Sequence, residues 1–159
     1  MTLIDTYSRE CLALRVGLHL TGEEVVEELE RLRKRGRCPQ TICVDNGTEF
    51  KSRRLDQWSY LHGVRLAFSR PGRPTDNAMI EAFNGRVRAE LLNEHWFLSL
   101  EDATRMAGLW RREYNEQRPH SALGNRAPAE FLRAPGKPHS ATLHSASQAS
   151  RKVPLTLEN

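Results

Sequence analysis

Between Thr21 and Phe68 the chain alternates helix and strand signals, and that order restricts the fold more than any other feature. Thr21 and Glu24 form a capping box, and Val25, Leu29 and Leu32 follow at helical spacing up to Gly36. "TICV" (41–44) is a short β-branched apolar run, and Asn46-Gly47 turns the chain after it. Ser52 opens a second helix carrying Leu55, Trp58 and Leu61, which stops near Gly63, and "VRLAFS" (64–69) alternates like a strand. Strands separated by helices pair in parallel through right-handed crossovers. The apolar runs Leu3-Ile4 and Cys11 to Val16, joined by a polar turn, add an antiparallel hairpin. The fold class expected is α/β, a mixed sheet with flanking helices.

Downstream, "RPGRP" forbids regular structure. A helix is expected from about Thr75 to Leu92, with Ile80, Phe83, Val87 and Leu91 as its core-facing stripe. Another helix starts at Ser99, capped with Asp102, and runs to about Gln117 through Met106, Trp110 and Tyr114. Residues 134–159 are small, polar and Pro-containing, so they read as a flexible tail behind a core of residues 1–133.

No run of eighteen apolar residues occurs, and the N-terminus lacks the pattern of a signal peptide. Cys11, Cys38 and Cys43 have no paired spacing and read as reduced packing residues. Trp58, Trp96 and Trp110 read as core residues rather than base-stacking platforms. The net charge is +4, and all basic residues but Lys34, Lys51, Lys137 and Lys152 are arginines. Arginine suits bidentate phosphate contact, which weakly favours a nucleic-acid partner.

Asp45 stands at the carboxyl end of its strand, where open α/β sheets bind ligands and metals. The plainer reading is that it bonds only its own turn. Glu81, Asn84 and Arg88 form a polar row beside the apolar stripe of their helix; the alternative is an ordinary solvated face. A helix-turn-helix over "LDQWSYLHGVRLAFSRPGR" is disfavoured because "VRLAFS" alternates and Pro71 and Pro74 end any recognition helix early.

Thirty-five residues separate Asp45 from Glu81, and Arg88 follows seven residues later. That spacing, with "DTYSRE", "VDNGTEF", "GRPTDNAMIEAFNGRVRAELLN" and "YNEQRPHSAL…APAEF", resembles the DDE transposases and retroviral integrases. The wording is most similar to the second-reading-frame transposase of frameshifting bacterial insertion sequences, over residues 1 to about 132. The resemblance implies a ribonuclease-H-like catalytic core. It implies carboxylates holding two divalent ions, Mg²⁺ or Mn²⁺, about 3.5–4 Å apart, for DNA 3′-end cleavage and strand transfer.

Carried over residue by residue, Asp45 is the second carboxylate and Glu81 the third. Arg88 grips DNA near the scissile phosphate, with Asn84, Arg70 and Arg73 as further DNA-binding candidates. Arg118 and His120 are assigned to packing and capping. The family's first Asp lies on a first strand that is missing here, and Asp5 matches a turn-forming acid instead. Losing that strand would leave unpaired backbone on both sides of the gap. The expectation is therefore an N-terminally truncated core, inactive by itself. The alternative is a DNA-binding or regulatory remnant. The resemblance further implies DNA ends and target DNA as partners, a homo-oligomer in the full-length protein, a possible first-reading-frame DNA-binding protein, and a bacterial cytoplasmic or nucleoid location without a membrane.

Overall fold

The computed structural model describes residues 1–70, 72, 77–134 and 142–146. The hairpin is β1 (Thr2–Asp5) and β2 (Cys11–Leu14), antiparallel, with Thr2 opposite Leu14. Helix α1 (Gly22–Lys34) starts at the Thr21 capping box, both of whose hydrogen bonds are made. β3 (Thr41–Val44) leads through a 3₁₀ turn to α2 (Arg53–Leu61), where the Ser52 side chain accepts from the Leu55 N–H. β4 (Arg65–Phe68) pairs in parallel with β3, which removes the helix-turn-helix reading of this stretch. Helix α3 (Ala78–Val87) continues as a π turn from Arg88 to Leu92. Helix α4 (Leu100–Glu116) follows, then α5 (Pro128–Arg133).

The expectation of a flexible tail fails at residues 142–146. They form β5 (Thr142–Ala146), and the sheet order is β2-β1-β5-β3-β4. β5 lies antiparallel to β1, with Ile4 opposite His144, and parallel to β3, with Cys43 opposite His144. The gap expected for the missing first strand is thus closed by a segment from the other end of the chain. Two physical causes cooperate. The facing edges of β1 and β3 carry backbone groups that need partners, and "TLHSA" alternates in the strand period. Leu143 and Ser145 are buried, and Leu143 joins the core of Leu3, Ile42 and Val44. A polar, small-residue composition concealed that alternation.

Alternation sorts the core into two layers. Leu3, Ile42, Val44 and Leu143 pack with Val25, Leu29, Leu55 and Trp58 of α1 and α2. Ile4 and Cys11 pack with Ile80, Phe83, Val87 and Leu91 of α3 and its π turn, and with Ala107, Trp110 and Tyr114 of α4. The sheet is covered on both faces, as parallel pairing requires. Helix α4 also guards the β2 edge. The Asn115 side chain accepts from the Cys11 N–H (2.8 Å) and donates to the Cys11 carbonyl (3.0 Å), as a neighbouring strand would.

Three apolar expectations are corrected. Leu61 is 75% exposed, because it stands about 120° round α2 from Leu55, off the buried stripe of Leu55, Trp58 and Ser59. Trp96 is 86% exposed in the link between the π turn and α4, where no element among the described residues covers it. Cys38 is exposed, while Cys11 is fully buried and its thiol is pushed up to about 12, chiefly by that burial.

Candidate active site

Asp45 follows the last residue of β3, half-buried, and its Oδ1 accepts the Gly47 N–H at 2.9 Å. The local turn reading is therefore part of its role. Gly47 permits a tight approach: a Cβ there would lie 2.6 Å from Glu49 Oε1. That oxygen is buried without a hydrogen-bond partner among the described residues. The chain leaves β4 beside this turn, where the Ser69 N–H donates to the Val44 carbonyl and Asn46 Nδ2 to the Ser69 carbonyl, both at 3.0 Å. Arg70 is exposed at that exit, and Arg73 lies outside the described residues.

Helix α3 presents two different flanks. Successive residues turn by about 100° at 3.6 residues per turn. Ile80 and Val87 therefore share the side buried against Ile4 and Cys11. On one flank, Met79 touches the Arg9 guanidinium and the Phe83 ring meets Tyr114 edge-on, at 5.1 Å between centroids. On the other, Thr2 Oγ1 donates to Asn84 Oδ1 at 2.8 Å, with Glu81 and Arg88 exposed alongside. Thr2 pairs with Ala146, whose neighbour Ser145 pairs with Val44, so Thr2 marks the end of the sheet from which Asp45 projects. The Glu81–Arg88 flank is turned to the Asp45 end.

Asn84 is only 9% exposed and its carbonyl oxygen is held by Thr2, so it fastens α3 to β1. Arg88 opens the π turn, a local widening often found at functional sites. Asp5 sits at the opposite end of β1. Its carboxylate accepts from the Tyr7 N–H (3.0 Å) and Ser8 Oγ (2.6 Å), a turn-forming role. The central strand offers Ala146 opposite Thr2, without a carboxylate. Among the described residues no three His, Cys, Asp or Glu side chains converge on a metal position. Sequence reasoning gave Glu49 and Asn115 no role; neither has a spacing that singles it out.

Two models of the integrase core domain match the chain, over residues 1–74 and 62–128. The chain belongs to the integrase-core family. An insertion element IS407 protein of 31.7 kDa from Burkholderia multivorans is 45% identical over 131 residues, 82% of this chain and 47% of that protein. An insertion element IS476 protein of 39.2 kDa from Xanthomonas euvesicatoria is 39% identical over 155 residues, 98% of this chain and 42% of its own length. This core thus spans about half the length of the curated relatives it matches. Its fold is shared with a simian T-cell lymphotropic virus intasome structure (TM-score 0.70, 18% identity, 87% of this chain and 49% of that one). The ribonuclease-H-like expectation is met, with the central strand supplied by β5. No helix among the described residues is long and apolar enough to cross a membrane.

Proposed function

We propose that this integrase core is a fragment of an insertion-sequence transposase that binds DNA but does not cut it alone. Asp45 and Glu81 are the second and third members of its DDE carboxylate set. One observation carries the reading: the α3 flank bearing Glu81 and Arg88 is turned to the sheet end where Asp45 stands. Asp45 and Glu81 are hard oxygen donors, the type that Mg²⁺ or Mn²⁺ selects. The donor number does not fit a held ion pair, because the central strand adds no acid and one Asp45 oxygen is engaged by Gly47. A metal pair would activate the attacking oxygen and stabilise the leaving one. Asp45 keeps its orientation through its turn, and Arg88 and Arg70 offer charge to a phosphodiester. In the full-length transposase the substrates are element ends and target DNA, bound by a homo-oligomer, with a first-reading-frame DNA-binding protein as a separate candidate partner.

The test is incubation of supercoiled plasmid with the full chain in Mg²⁺, Mn²⁺ or EDTA, beside a fluorescence titration with duplex DNA. Binding should persist in EDTA, with no nicking in either metal. Mn²⁺-dependent nicking that disappears in Glu81→Gln would overturn the inactive reading in favour of a working enzyme.

A further inference from the structure

The α3 flank away from Glu81 gathers positive charge that the catalytic reading does not use. Arg9 comes from the β1–β2 turn, Arg86 from α3 and Arg118 from the segment after α4. Met79 and Arg86 are seven residues apart on one flank, and Arg9 lies against Met79. The Arg118 guanidinium sits over the Tyr114 ring, 5.7 Å from its centroid, and that ring meets His120 at 5.1 Å. Arg86, Arg118 and Arg9 all lie close enough to hold His120 below its usual range, after burial as the larger cause.

Three features separate this cluster from an ordinary basic surface. Arg118 pairs with Glu90, but neither Arg9 nor Arg86 has a carboxylate partner among the described residues. His120 Nε2 is buried without a hydrogen-bond partner among them. Arg9 holds a left-handed backbone, φ 61°, where glycine or asparagine fits with less strain. Arg9 and Arg86, without an acid of their own among the described residues, repel, and an anion removes that repulsion.

We propose that Arg9, Arg86 and Arg118, with the His120 ring, form a second phosphate-binding site that takes the sugar-phosphate backbone of duplex DNA. This deepens the transposase reading and rests on it. Arg9 and Arg86 grip phosphate oxygens, and Arg118 adds its charge from beside Glu90 and the Tyr114 ring. DNA thereby contacts both flanks of α3, Arg88 on one and this cluster on the other.

Fluorescence anisotropy of the full chain with a labelled 30-base-pair duplex, across a salt series, tests it. Arg86→Gln removes an exposed side chain and should lower the slope of log affinity against log salt by about one. Arg9→Gln with Arg86→Gln should lower it by about two and weaken binding at least tenfold, with an unchanged melting curve. Arg54→Gln on α2 should leave the slope unchanged. Inorganic phosphate should shift the His120 ring resonances in the wild type and not in the double variant. Wild-type binding with the same slope in both Arg86 variants overturns this site and leaves the transposase reading standing. Failure of the wild type to bind duplex DNA at any salt overturns both. A phosphate-induced His120 shift without any slope change shows a small-anion site and overturns the assignment to DNA.

Discussion

Replacing Leu143 with alanine tests whether the last strand holds the sheet together. The side chain is 3% exposed and packs with Leu3, Ile42 and Val44. Buried leucine-to-alanine changes cost about 2–5 kcal/mol, depending on how far the site can collapse. Here β1 and β3 fix the backbone from both sides, so collapse is restricted and about 3–4 kcal/mol is expected. Against a total of about 5–15 kcal/mol that is a large fraction. At roughly 2–4 °C per kcal/mol for a domain of this size, melting followed by circular dichroism should fall by about 6–16 °C. Leu98→Ala, at a side chain 88% exposed, should change stability by less than about 0.5 kcal/mol. A chain ending at Ala134 should lose its cooperative transition. If Leu143→Ala melts within a degree of the wild type and the shortened chain melts normally, β5 is not part of the folded sheet.

Asp5→Ala removes the acceptor for Tyr7 N–H and Ser8 Oγ at a buried turn, so urea unfolding should show a loss of about 2–3 kcal/mol. Glu30 is held at about 2, first by its bond from Arg33 and then by the Trp58 indole N–H. A depressed folded value means its contribution is complete above the unfolded value of 4.5 and is lost as pH falls from there towards 2. In Glu30→Gln the urea midpoint should fall less steeply between pH 5 and pH 3 than in the wild type; parallel curves would show that Glu30 is not held in this way.

Local chemistry was the legible part of the sequence. Thr21 with Glu24, and Ser52, announce helix starts through side chains that bond the next turn, and the structure has those bonds. The stripe of Ile80, Phe83, Val87 and Leu91 is buried as its period requires. Asp45 and Glu81 stood out through spacing and family wording, and Asp5 through its place in the hairpin turn. Non-local pairing was hidden. Nothing in "TLHSA" states that its partners are Ile4 and Cys43, because register depends on edges over a hundred residues away. Apolar identity also misled where the side chain stands off the covered face, as at Leu61 and Trp96. The Arg9, Arg86 and Arg118 cluster escaped for a related reason: its members come from three elements that meet only in the folded chain.

The placement of β5 has a consequence for synthesis on the ribosome. The middle of the sheet does not exist until residue 146 has emerged, although its two flanking ribbons are complete by residue 68. Until then the nascent protein carries two open edges facing each other across an empty lane. Closing so long a loop is entropically slow, and open edges invite association between neighbouring nascent chains. Yield from rapid expression should therefore depend on temperature and chaperone supply more than the size of the domain suggests.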